Sequence, residues 1–167
     1  MKVEKIYFDM DGVLADFDRG IKELCGLEPR PQDSSLGSDA DMWEKVKEVE
    51  HFYDKLFLMP GAKEMFDAVY SKYGDKCEIL SAVPKPSRGI LSAGDDKIKW
   101  VRRLLSEDIQ INIVLKEEKR NYCTGKGCIL VDDLEGNIQA WKDFGGTGIL
   151  HKSSEETLGM FEKLGVL

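Results

Sequence analysis

In the segment Ile6-Tyr7-Phe8-Asp9-Met10-Asp11-Gly12-Val13-Leu14, three apolar residues run straight into an Asp-x-Asp-Gly turn. An uninterrupted apolar run that stops at a polar turn is the pattern of a strand covered on both faces. Working outward, the same pattern recurs downstream. Cys77-Glu78-Ile79-Leu80 runs into Ser81, Ile111-Asn112-Ile113-Val114-Leu115 into Lys116-Glu117-Glu118-Lys119, and Cys128-Ile129-Leu130-Val131 into Asp132-Asp133, while Gly148-Ile149-Leu150 makes a fifth run. Helical stripes lie between them. Ala62, Met65, Phe66, Val69 and Tyr73 follow Pro60-Gly61 and stop at Gly74. Ile98, Val101, Leu104 and Leu105 form a second stripe opened by Asp95 or Asp96, and Leu134, Ile138, Trp141 and Phe144 a third. Ser153-x-x-Glu156 is a capping box for a last helix burying Leu158, Phe161 and Leu164. Strands alternating with helices predict right-handed crossovers and a doubly wound parallel α/β sheet.

One stretch breaks the alternation. Residues 17–59 hold two helical patterns, Phe17/Ile21/Leu24 and Met42/Trp43/Val46/Val49, separated by a Pro/Ser/Gly-rich loop from Leu27 to Ser38, with no strand. A segment of this size can hardly bury a core of its own, because independent folding becomes marginal below ~40–60 residues. The expected organisation is an α/β core of residues 1–16 and 60–167 with residues 17–59 inserted after the first strand as a small helical cap.

The chain has 167 residues, 24 Lys+Arg against 31 Asp+Glu, and a net charge of −7. That acid surplus argues against a nucleic-acid polymer as partner, since binding a polyanion needs clustered cations. No apolar run approaches the ~20 residues of a membrane helix, and no signal-type run precedes Tyr7, so a cytoplasmic protein with no membrane partner is expected. The four cysteines are expected to be reduced thiols. Cys123 and Cys128 could be half a metal loop, but no second Cys/His pair accompanies them. His51 and His151 stand apart from any Ser or Cys nucleophile. No heptad pattern or strong exposed apolar run marks an interface, so the sequence is silent on oligomeric state.

The polar residues gather where the apolar runs end. In an open parallel sheet these ends share one edge, which is where such sheets bind ligands. Any one of these residues alone is an ordinary turn former, helix cap or solvated lysine. Together, Asp9, Asp11, Asp132 and Asp133 crowd four carboxylates into one crevice, and a hard divalent cation is the least costly relief. A few carboxylates with waters and substrate phosphate oxygens is the usual Mg²⁺ arrangement. The Ser81 hydroxyl and Lys119 ammonium suit a bound phosphate.

On these residues the chain resembles the haloacid dehalogenase-like phosphohydrolases. Phe8-Asp9-Met10-Asp11-Gly12-Val13-Leu14 matches the first family motif, Leu80-Ser81 the second, Lys119 the third and Val131-Asp132-Asp133 the fourth. The resemblance implies a Rossmann-like phosphohydrolase core with Mg²⁺ as cofactor. Asp9 would be the nucleophile that forms an aspartyl-phosphate, and Asp11 the general acid and then base. Mg²⁺ would be held by the Asp9 carboxylate, the Asp11 backbone carbonyl and Asp133, with Asp132 bridged through water. Ser81 and Lys119 would hold the transferring phosphoryl group.

A narrower resemblance, carried by Asp9 to Phe17, by Met59-Pro60-Gly61-Ala62 and by Asp96-Lys97-Ile98-Lys99-Trp100-Val101, is to the 5'(3')-deoxyribonucleotidase branch. It implies a (deoxy)nucleoside monophosphate as substrate, Lys85 as a second phosphate contact, and Phe17, Trp43, Phe52 and Tyr53 as cap residues facing the base. Arg88 shares the loop of Lys85. The hydroxyl-rich form common in that branch after the second motif is Ser81-Ala82-Val83-Pro84 here, which leaves base and sugar selectivity open. The alternatives are a phosphatase of sugar or cofactor phosphates, a phosphomutase, and a receiver-type phosphoacceptor domain. The last places its phosphoacceptor on a middle strand and its acid pair on the first, the reverse of the order here.

Overall fold

Strand β1 (Lys5–Phe8) is the middle of a five-stranded parallel sheet in a computed structural model that describes residues 1–28 and 39–167. β4 (Cys77–Ala82) and β5 (Gln110–Val114) lie to one side, β6 (Cys128–Asp132) and β7 (Thr147–Leu150) to the other. All four pairings are parallel, with Phe8 opposite Ile79 and Val131. The chain steps outward from β1 through β4 to β5 and then crosses back to β6, so the winding reverses between β1 and β6. A crevice opens at such a reversal, beyond the carboxyl ends of the two strands.

Side-chain alternation divides the sheet between two cores. Ile6, Phe8, Ile79, Ile129 and Val131 face α3 (Ala62–Tyr73), α4 (Ala93–Leu104) and α6 (Ser154–Lys163). Tyr7, Leu80 and Leu130 face α5 (Glu135–Asp143) through Trp141. Ser153 Oγ accepts the Glu156 N–H at 3.1 Å, one half of the predicted capping box.

Two helical stripes are rotated from their expected phase. In α4, Ile98 is 37% exposed, whereas Ala93, Asp96, Lys97, Trp100 and Val101 are buried. Nor does either predicted cap open this helix: it begins at Ala93, with Asp95 and Asp96 in its first turn. Phe144 follows α5 and is 51% exposed. An apolar count cannot see that two polar residues, Asp96 and Lys97, occupy the inward face.

Between β1 and α3 stand α1 (Phe17–Cys25) and α2 (Asp39–Glu48), then a 3-10 turn at Phe52–Lys55. The expectation of no strand in residues 17–59 is corrected by β3 (Phe57–Leu58), which pairs antiparallel with β2 (Ala15–Asp16). Two-residue strands carry too little alternation to show in a sequence. Most of the predicted Leu27–Ser38 loop, residues 29–38, lies outside the described residues. Among the described residues, no helix is long and apolar enough to cross a membrane.

Candidate active site

After β1 the backbone coils around a single carbonyl. Met10 O accepts the N–H groups of Val13, Leu14 and Ala15 at 3.2, 2.9 and 2.8 Å. Gly12 sits at φ 79°, and a Cβ there would overlap the Asp133 carboxylate. Glycine is therefore required twice at this turn, for its left-handed backbone and for the space it leaves. The coil sets Asp9 and Asp11 on the wall of one cavity of about 570 Å³.

Asp9, Asp132 and Asp133 each place a carboxylate oxygen within 4.8 Å of the others. Lys119 Nζ is 2.9 Å from both Asp9 Oδ1 and Asp132 Oδ2. Burial works to lower the Lys119 pKa, but Asp9 and Asp132 together raise it above the ordinary lysine value, so the ammonium is firmly charged. Asp132 is saturated: Oδ1 accepts the Leu134 N–H, and Oδ2 accepts Asn137 Nδ2 at 3.1 Å as well as Lys119. Burial and then Asp9 raise the Asp132 pKa against the pull of Lys119. Asp133 is pushed up to about 8, by burial first, then by Asp9 and Asp132.

With all three carboxylates ionised, they and the one ammonium would carry a surplus of two negative charges, and burial with that surplus is why Asp133 keeps its proton in their company. A hard divalent cation with oxygen ligands fits that surplus and those donors. The predicted quartet Asp9, Asp11, Asp132 and Asp133 is thus brought to one sheet edge, with the Asp11 side chain turned aside. Its Oδ2 takes Lys97 Nζ at 2.9 Å, and its Oδ1 is buried without a partner.

Lys97, which the sequence reading did not single out, is brought beside Asp11 and Ser81. It is fully buried in α4, and its Nζ also donates to Ser81 Oγ at 2.8 Å and Ala82 O at 2.6 Å, with the Tyr53 ring centroid 4.7 Å away. Its signal was present, because Lys97 shares a helical face with Ala93, Trp100 and Val101. Ser81 is fully buried and off the cavity wall, its oxygen engaged by Lys97. Lys119 and the exposed Lys85 line the cavity; Arg88 does not.

Of the predicted cap residues, Phe17, Trp43 and Tyr53 line the cavity with Met42 and Ile21. Phe52 does not: it packs edge-on against Phe17 and Tyr53, centroids 5.7 and 5.2 Å apart, over the gap left by Gly20. Cys123 Sγ donates to the carbonyls of Trp141 and Phe144, and Cys128 is buried beside Thr124 Oγ1, so both thiols belong to the packing around α5.

No family model matches the chain. A protein of Vibrio phage KVP40 named "Putative 5'(3')-deoxyribonucleotidase" is 32% identical over 140 residues, covering 79% of this chain and 67% of that protein. Among solved structures, a HAD-superfamily hydrolase from Ehrlichia chaffeensis superposes with a TM-score of 0.53 at 13% identity, covering 98% of both chains. A magnesium complex of a HAD-family enzyme from Bacteroides thetaiotaomicron gives a TM-score of 0.53 at 14% identity, covering 96% of this chain and 99% of that one. At such identities the two structures speak for the fold.

Proposed function

The chain belongs to the haloacid dehalogenase-like hydrolases, and from that premise we propose that it is a Mg²⁺-dependent phosphomonoesterase acting on a deoxyribonucleoside monophosphate. The observation that carries this reading is the unequal dress of two carboxylates two residues apart. Asp9 is fixed by Lys119 beside Asp133, while Asp11 keeps one oxygen buried and free. A fixed carboxylate suits a nucleophile, and an unengaged one beside it suits proton transfer.

In this mechanism an Asp9 oxygen attacks phosphorus and the ester P–O bond breaks. Asp11 Oδ1 delivers its proton to the departing alkoxide. The resulting Asp11 carboxylate then takes a proton from water, whose oxygen displaces the Asp9 carboxylate from phosphorus and releases phosphate. Lys97 holds the other Asp11 oxygen throughout, which leaves Oδ1 as the oxygen that carries the proton. Lys119, on the cavity wall, brings an ammonium group to where the phosphoryl charge develops, while Lys97 acts behind the wall by holding Asp11. The carboxylates of Asp9 and Asp133 and the Asp11 carbonyl would hold Mg²⁺, with Asp132 orienting Lys119 and reaching the ion through water. When bound, the ion supplies Lewis-acid neutralisation of the phosphoryl oxygens.

The cap, residues 17–59, would close over the ester and place Phe17, Trp43 and Tyr53 against the base. The 32% identity to a protein named as a deoxyribonucleotidase supports that choice of substrate. The test is phosphate release from a panel of nucleoside monophosphates, sugar phosphates and cofactor phosphates, with Mg²⁺ and with chelator. Deoxyribonucleoside monophosphates should rank first, and Asp9→Asn should lower kcat by roughly 10³-fold or more. Wild-type turnover by Asp9→Asn would refute the mechanism, and a sugar phosphate ranking first would refute the substrate.

A further inference from the structure

A hydrogen-bonded pair outside the reacting centre grips the cap segment that carries Tyr53. His51 has a left-handed backbone, φ 55°, the only such non-glycine among the described residues. Its Nδ1 lies 2.9 Å from Asp96 Oδ1. Asp96 is 1% exposed, and its Oδ2 has no partner. Helix capping does not account for this burial, because Asp95 sits exposed in the same first turn and already serves the positive end of the helix. A buried carboxylate with a single hydrogen-bond partner depends heavily on that partner.

Asp96 opens a row of three contacts along one face of α4. Trp100, one turn on, donates its Nε1 to Leu56 O at 2.8 Å, and Arg103, a further turn on, donates to Asp54 Oδ1 at 2.9 Å. Positions 96, 100 and 103 follow the helical repeat, so the 51–56 stretch is held to α4 at three points. The same helix extends Lys97 to Asp11 and Ser81. Tyr53 stands between these two roles, its ring 4.7 Å from Lys97 Nζ and stacked on Phe17 at the cavity wall. Two of the three grips lie on the C-terminal side of Tyr53, and His51–Asp96 holds the other side.

We propose that His51 and Asp96 are positioning residues that fix Tyr53 against the cavity and so set the affinity for a ring-bearing leaving group. This rests on the phosphatase reading. Loosening the pair frees one end of the Phe52–Lys55 turn and lets Tyr53 pivot off Phe17. Trp100 and Arg103 still hold the other end, and Lys97 stays on its own three partners. Recognition of the leaving group then weakens while handling of the phosphate does not.

Two variants separate the side chain from the backbone. His51→Gly accepts the left-handed conformation and removes the imidazole; His51→Asn tolerates that conformation and keeps an N–H donor. Kinetics would be compared for thymidine 5'-monophosphate and for glycerol phosphate, which has no ring. His51→Gly should raise KM for the nucleotide about tenfold with kcat within about twofold, and leave both constants for glycerol phosphate within about twofold. His51→Asn should restore the nucleotide KM to within about threefold of wild type. Hydrogen exchange, which needs no substrate, should show the 52–56 amides opening about tenfold faster in His51→Gly while β1 amides keep their protection. Equal losses on both esters, or unchanged exchange at 52–56, would overturn the proposal. If wild type releases phosphate from neither ester, the phosphatase reading fails, and the exchange result still decides whether the pair holds the turn.

Discussion

Lys97→Met removes a cation that ties three separate groups together. Its Nζ bonds Asp11 Oδ2, Ser81 Oγ and Ala82 O at 2.9, 2.8 and 2.6 Å, and the side chain is fully buried. Methionine fills nearly the same volume, so little cavity cost enters. What is lost is the compensation of the Asp11 charge. Breaking a buried ion pair from one side costs about 3–5 kcal/mol, and because the Asp11 side chain keeps 21% exposure the lower end, about 3 kcal/mol, applies. For a chain of 167 residues, at about 2–4 °C per kcal/mol, the melting temperature should fall by about 6–12 °C. The double variant Lys97→Met/Asp11→Asn removes the stranded charge as well. It should recover about 1 kcal/mol or more relative to additive losses, because the partners are in direct contact. Phosphate release by Lys97→Met should drop up to about 100-fold in kcat, the scale of losing the partner that orients a reacting group. Calorimetry on the four members of the cycle, with and without Mg²⁺, measures the coupling. A melting temperature for Lys97→Met within about 2 °C of wild type, together with strict additivity, would refute the assignment of Lys97 as the cation that balances Asp11.

Gly12→Ala should combine a left-handed backbone penalty of about 1 kcal/mol with displacement of the Asp133 carboxylate. The Mg²⁺ concentration that half-stabilises the protein against heat should rise about tenfold, as for other disturbances of a ligand's setting. The pH profile of the metal-free protein should carry two opposed slopes. Asp133 holds its proton up to about 8 in the fold but loses it near 3.8 when unfolded, so stability falls as pH rises from about 4 through about 8. Mg²⁺ should flatten that limb. His151, buried with Nδ1 2.7 Å from Thr157 Oγ1 and Nε2 unpartnered, has its pKa lowered by burial. The unfolded chain takes up a proton below 6.5 that the fold refuses, so stability falls as pH drops through that value, and His151→Gln should abolish this second limb. Denaturant midpoints measured from pH 4 to pH 9 read both.

The strands and their polar ends were legible because a parallel sheet covered on both faces demands nearly continuous apolar runs, and few other structures do. Ile6-Tyr7-Phe8 and Cys128-Ile129-Leu130-Val131 could hardly be anything else, and the residues after them had to share an edge. Helix phase was less legible. The count of apolar residues put Ile98 and Phe144 inside, yet α4 turns Asp96 and Lys97 inward because each finds a polar partner on a distant segment, His51 and Asp11, which no local window contains. β2 and β3 were invisible for a different reason, since each pairs only two residues.

By itself, then, the sequence determined which residues end the strands, and therefore that Asp9, Asp11, Asp132 and Asp133 meet, because alternation and parallel winding leave their side chains nowhere else to gather. Only the tertiary structure decided how those carboxylates divide their work. Lys119 joins Asp9 to Asp132, Lys97 draws Asp11 aside, and Gly12 leaves room for Asp133. Each of these contacts joins residues tens of positions or more apart in the chain, apart from Lys119 with Asp132. Their strength depends on burial and distance, which are properties of the packed molecule.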